Sequence, residues 1–206
     1  MDWLTTSTIL HDLRDLGNES AWDRFVGRFR TPVVTFAGRI GVPPSDREDV
    51  AQETLVAFSK AYREGKYDRS KGSLSSWLFG IAYKQALMHL RRERRREPLL
   101  SALDDSRLPG DDVPDQRFAT TYWDVTWEEF VFQECYSRVR DELSEETRRA
   151  FERVVLDDAS PEQAAADLGV SVKAVYNAKH RVLKRIREVR AELEGNEGLG
   201  RSAPGV

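Results

Sequence analysis

The chain has a single cysteine, Cys135. No intrachain disulfide can form, and the composition fits a reducing compartment. Histidine is scarce as well: His11, His89 and His180 stand far apart, with no spacing that suits metal ligation. Long apolar runs are absent, which argues against a membrane-spanning helix. The first seventeen residues, MDWLTTSTILHDLRDLG, lack the basic flank and long apolar centre of a secretory signal. Alternating β patterns of any length are missing too. Paired acids do occur, but they stand at helix starts, where they act as caps and dipole partners; no nucleophile with an activating partner appears. These absences leave an all-α, cytoplasmic protein that needs no cofactor.

Charge is abundant and unevenly placed. The net value of −3 over 206 residues hides three blocks. Residues 84–96 carry six basic and one acidic side chain, residues 97–146 fourteen acidic and four basic, and residues 171–190 seven basic and one acidic. Two basic helices separated by an acidic stretch suggest two polyanion-binding lobes. Phosphate neutralisation supplies much of the affinity in nucleic-acid binding, so nucleic acid is the expected polyanion.

Residues 6–14 and 20–40 read as helices. In the second, Trp22, Phe25, Val26, Phe29, Val33 and Phe36 recur at helical spacing, with Pro32 marking a kink or a helix start. Ser45 and Glu48 form an S-x-x-E capping box opening a helix to about Tyr62, with Ala51, Leu55, Phe58 and Tyr62 apolar. The acids near its start suit the helix dipole in the first place, with a partner-binding surface as the alternative. A polar loop, 64–72, precedes a helix opened by Ser73 whose second half is basic: Lys84, Arg91, Arg92, Arg94, Arg95 and Arg96. Trp77 in that helix reads as core rather than as a base-stacking platform. Residues 97–122 hold three prolines among aspartates and read as an irregular linker. Trp123 and Trp127 lead into a further helix, as an aromatic staple packing the linker onto the C-terminal helices. Ser144 caps the next helix, and residues 195–206 form a glycine-rich, frayed tail.

Residues 160–190 hold the strongest local signal. Ser160, Pro161 and Gln163 make a capping box with proline at the first helical position. Gly169 ends this short helix where a left-handed residue is needed. Ser171 caps a second helix with Val175, Val182, Leu183 and Ile186 on its apolar side. Lys173, Tyr176, Asn177, Lys179, His180, Arg181, Lys184 and Arg185 crowd the other faces. Caps, turn and charge together fit a helix-turn-helix that enters the major groove; a helical hairpin with a solvated basic face is the plain alternative.

Two blocks together resemble the extracytoplasmic-function (group IV) sigma factors of bacterial RNA polymerase. The first is DREDVAQETLVAFSK, residues 46–60, continued by GSLSSWLFGIAYKQALMHLRRERRR, residues 72–96, which looks like region 2. The second is residues 143–188, which looks like region 4. The resemblance implies two helical lobes joined by an acidic, flexible linker: residues 1–97, linker 98–122, 123–194 and a disordered tail. It implies that Asp49, Gln52 and Glu53 dock on the coiled coil of the polymerase β′ subunit. Lys66, Arg69, Lys71, Lys84, Arg91 and Arg92 fall where the family binds the −10 promoter element, and Ser171, Lys173, Tyr176, Asn177, Lys179, His180, Arg181 and Arg185 where it reads the −35 element. The linker is expected to thread the polymerase's channels, which brings the β subunit into contact, and an anti-sigma factor or other inhibitory protein is an expected partner. The chain departs from the family at Lys84 and Met88, where asparagine and aspartate are common, and at Ala178, where arginine is frequent. Two rival readings are a stand-alone helix-turn-helix regulator, which leaves the acidic helix unexplained, and a nucleic-acid enzyme, which lacks its carboxylate cluster.

Overall fold

The computed structural model describes residues 12–13, 18–100 and 115–197, with side chains to residue 93 in the first long stretch and to residue 192 in the second. The expected helix over 6–14 lies almost wholly outside these residues. Seven α-helices and one 3₁₀ turn are described, and no strand among them. They form two compact units, divided between Glu128 and Glu129.

The first unit is built on α1 (Glu19–Arg39), α2 (Arg47–Arg63) and α3 (Leu74–Leu100). Asn18 starts α1 by accepting the Ala21 N–H at 3.1 Å. The helix then buries Trp22, Phe25, Phe29, Val33 and Phe36 of the predicted stripe, while Val26 at its edge is 39% exposed. Pro32 lies inside α1 and is itself buried, so the chain passes it without a break. Rings hold the three helices together. Phe25 stacks on Phe58 at 4.3 Å, and Phe58 also meets Trp77 at 4.8 Å and Tyr62 at 5.8 Å. Such pairs add about 0.5–1.5 kcal/mol beyond their buried area. Trp77 therefore sits at the core edge, against Phe58 and Tyr67, as the sequence suggests.

The start of α2 differs from expectation. Asp46, not Ser45, is the N-cap residue, and its side chain makes no capping bond. Ser45 donates its hydroxyl to the Asp46 carboxylate at 2.7 Å instead, so the S-x-x-E box does not form. At the start of α3, Ser73 does cap, accepting the Ser76 N–H at 3.1 Å.

The acidic connector is also shorter than its composition suggests. Helix α3 extends to Leu100, and α4 runs from Gln116 to Arg140, so residues 116–122 are helical rather than irregular. Residues 101–114 lie outside the described residues. The tryptophans of α4, expected against the C-terminal helices, pack onto the first unit. Trp123 donates its indole N–H to Ser75 Oγ at 2.9 Å and meets Phe36 edge-on at 5.3 Å. Trp127 lies parallel to Phe29 at 6.0 Å, and Arg39 donates to the buried Thr126 hydroxyl at 2.7 Å. The staple is real, but α1 and α3 supply the aromatic surface it needs.

The second unit takes the end of α4 with α5 (Glu145–Val155), α6 (Pro161–Leu168) and α7 (Val172–Glu197). Its core includes Val131, Cys135, Val139, Phe151, Ala164, Val175, Val182 and Ile186. Tyr136 reaches from α4 to α5 and donates to Glu152 at 2.8 Å; burial first, then this bond, pushes its hydroxyl up to about 12. Ser144 accepts the Thr147 N–H as the expected cap. The last helix runs to Glu197, into the stretch read as a tail.

Trp123→Ala removes a buried ring and the bond to Ser75, and is expected to destabilise the first unit by about 3–5 kcal/mol, measured by urea unfolding. Gly169 has φ +67° and no neighbour where a Cβ would stand. Gly169→Ala therefore suffers from backbone strain alone, about 1 kcal/mol, read as a lower midpoint in the same assay.

Candidate functional site

Three surfaces carry the chemistry. The first is the exposed side of α2. Once Val50, Ala51, Thr54, Leu55 and Phe58 face the core, helical spacing turns Asp49, Gln52 and Glu53 outward, and all three are exposed. They share one shallow groove with Asp46, His89, Arg92 and Glu93. His89 is buried at 6% exposure, and its Nε2 stands 3.0 Å from Asp46 Oδ2. This pair ties the first turn of α2 to α3. The Ser45 hydroxyl, and after it His89, hold the Asp46 carboxyl below its usual range. Arg92 approaches both His89 (3.4 Å) and Glu53 (3.6 Å). The sequence places His89 only among scattered histidines, because its partner lies 43 residues away.

The second surface is basic and spans the 64–73 loop and α3. Asp68 organises the loop by accepting the Ser70 N–H (2.9 Å) and hydroxyl (2.7 Å), which opens the 3₁₀ turn Arg69–Lys71. Lys66, Arg69 and Lys71 are exposed; Lys66 pairs with Glu64 at 2.5 Å, and Lys71 lies 3.7 Å from Asp68. Further along, Lys84, Met88 and Arg91 fall at i, i+4 and i+7 and share one exposed face. Met88, 53% exposed, is an apolar step between two cations. Arg92 stands between the two surfaces: it leans toward Glu53 in the acidic groove and also lines a second groove with Met88 and Arg91. The side chains of Arg94, Arg95 and Arg96 lie outside the described residues.

The third surface is the helix-turn-helix. Both halves of the Ser160 box are present: Gln163 N–H bonds Ser160 Oγ, and Ser160 N–H bonds Gln163 Oε1, each at 3.1 Å. Gly169 is left-handed as expected. Ala164, Ala165 and Val175 then close a buried cluster with Val154, Val170 and Val172, which fixes α7 against α6. Ser171 uses its hydroxyl to cap α7, accepting the Ala174 N–H at 3.1 Å.

Helical geometry sorts the remaining candidates. Lys173, Tyr176, Asn177, His180 and Arg181 lie on one face, with Lys184 and Arg187 continuing it. The spacing of three and four residues through 173, 177, 180, 184 and 187 is the signal that extends the set. Lys179 lies off this face, near the buried stripe, and is half-buried. Ala178 is 7% exposed and lies on the packed side of α7, away from the face that carries Lys173 and Asn177. Arg185 is held in a fork by Glu142, at 2.9 and 3.2 Å, with Glu188 at 3.5 Å, and these carboxylates raise its pKa further. Its guanidinium is occupied within the unit.

Among the described residues no three or more His, Cys, Asp or Glu side chains could hold a metal ion. No helix among them is long and apolar enough to cross a membrane.

The surfaces coincide with known families. Residues 25–96 match Sigma-70 region 2, and residues 133–186 match Sigma-70, region 4. The ECF RNA polymerase sigma factor RpoE of Cereibacter sphaeroides is 26% identical over 91% of this chain and 94% of its own length. The RNA polymerase sigma factor CnrH of Cupriavidus metallidurans is 30% identical over 86% of each chain. A solved structure of CnrH with the cytosolic domain of CnrY aligns over 89% of this chain and 96% of that one, at 21% identity and a TM-score of 0.34. An all-α chain with both sigma regions in order, and with relatives that match it along most of its length, belongs to the extracytoplasmic-function sigma factors of RNA polymerase, which are transcription initiation factors and not enzymes.

Proposed function

We propose that the three surfaces divide the work of promoter opening. The acidic groove docks on the β′ subunit of core polymerase through Asp49, Gln52 and Glu53. The loop cations Lys66, Arg69 and Lys71, with Lys84 and Arg91 of α3, hold the −10 element as it melts. The α7 face, led by Lys173, Tyr176, Asn177, His180 and Arg181, reads the −35 element as duplex. The observation that carries this reading is the sorting of charge by helix geometry: an acidic face beside a partly buried Asp46–His89 tie, and a basic face in each unit. Acid suits a protein partner and repels DNA, while cations on an exposed helix face suit phosphates. A base drawn from the stack needs an apolar contact as well as phosphate anchors, and Met88 between Lys84 and Arg91 offers one.

Residues through 97 carry polymerase and −10 binding in this reading, and the second unit carries −35 binding. The acidic stretch between α3 and α4 enters the polymerase channels and touches the β subunit. The protein works in the cytoplasm, where polymerase and promoter are found, and an inhibitory protein of the anti-sigma kind holds it inactive until needed.

Run-off transcription with core polymerase on a promoter library tests the whole reading. Factor-dependent starts are expected, and tight duplex binding without polymerase would favour a stand-alone regulator. The double charge reversal Asp49→Lys/Glu53→Lys is expected to weaken core binding about 100-fold, or about 2.7 kcal/mol, with helicity by circular dichroism unchanged. Retained pull-down of β′ would refute the acidic docking face. Arg181→Ala is expected to weaken −35 duplex binding and to lower the salt slope by about 1. Arg185→Ala and Lys179→Ala leave that slope as it is, and equal effects of all three would refute the face assigned to α7.

A further inference from the structure

The first half of α4 carries two apolar faces. One is docked: Ala119, Trp123, Thr126 and Trp127 are all buried against the first unit. The other holds Phe118, Tyr122 and Val125 at i, i+4 and i+7, and these are 66%, 41% and 47% exposed. At 100° per residue this stripe is turned roughly 120° from the docked face. A surface helix ordinarily needs one apolar stripe, and the second stays exposed among the described residues. None of its three residues belongs to the polymerase or promoter surfaces.

The stripe is held on a rigid support. The Trp123 bond to Ser75, the Arg39 bond to Thr126 and the Trp127–Phe29 stack fix the helix on α1 and α3. A partner therefore meets a formed helix and spends no free energy ordering it.

Charge decides the kind of partner. Residues 115–128 include Asp115, Asp124 and Glu128 against Arg117 alone. Asp124 and Glu128 border the stripe one helical turn apart, and Asp115 stands at its start. Desolvation and the neighbouring Glu128 raise the Asp124 carboxyl's pKa, as expected where acid is crowded and partly shielded. Such a border repels nucleic acid and anionic lipid, and it repels a second copy of itself in a face-to-face pair. We propose that Phe118, Tyr122 and Val125 form a docking stripe for a helix of another protein, one with an apolar ridge flanked by lysine or arginine. The apolar ridge supplies affinity, and the basic flank, set against Asp124 and Glu128, supplies register and choice of partner.

The full chain is titrated with a fluorescein-labelled helical peptide of about five turns whose leucines follow heptad spacing between lysines. A second peptide keeps the leucines and replaces the lysines with glutamates. Anisotropy is expected to show the lysine peptide binding at least tenfold tighter, and Phe118→Ser/Val125→Ser is expected to weaken it at least tenfold. Both substituted residues are exposed, so an unchanged urea midpoint certifies the fold. Absence of binding by the lysine peptide, equal binding of the two peptides, or full binding to the double variant overturns the proposal. Concentration-dependent dimerisation, or binding to phosphatidylserine vesicles, that the same double variant abolishes overturns it as well, in favour of a second copy or a membrane.

Discussion

The ring of Phe58 is the point on which the first unit turns. It is fully buried, stacks on Phe25 of α1, and touches Trp77 of α3 and Tyr62 of its own helix. Three helices thus share one aromatic contact. With that ring inside, the rotation of α2 about its axis is set, and the opposite side of the helix must point outward. Asp49, Gln52 and Glu53 occupy that side. The acidic face is therefore a consequence of packing, and its orientation is as firm as the core beneath it.

Internal pairing thins the charge that the sequence displays. Arg92 leans to Glu53, Arg185 is forked by Glu142, and Arg153 pairs with both Asp157 and Asp167. Exposed pairs of this kind contribute little to stability, a median of about 0–1 kcal/mol. Their larger effect is on availability, since a guanidinium in a carboxylate fork must break that fork before meeting a phosphate. Unpaired geometry matters more than a count of positive residues. The surfaces that emerge are narrower than the basic blocks but better defined.

Much of this was legible in the chain itself. Helical spacing located the cores of α1, α2 and α7, and capping chemistry located Ser144, Ser160, Gly169 and Ser171, because these signals act within one or two turns. The order of the acidic helix, the arginine-rich helix and the helix-turn-helix pointed to the sigma-factor family, to which the chain belongs. What escaped depends on contacts across many residues. Asp46 gives its carboxylate to Ser45 and His89 rather than to its own helix. Trp123 and Trp127 find their aromatic surface on helices far earlier in the chain. Ala178 and Lys179 are neighbours of the exposed basic face in sequence, yet the packing of α7 against Ala164 and Ala165 turns them away from it.

The thiol of Cys135 has no exposed surface in the second unit. It is also the only cysteine in the chain. Any reagent that modifies thiols must wait for that unit to open. Its rate of labelling is thus a clock on local unfolding of the helix-turn-helix half, independent of any promoter or polymerase assay. The same seclusion leaves every surface position available for a single introduced cysteine, so that a probe can be set on either basic face against a silent background.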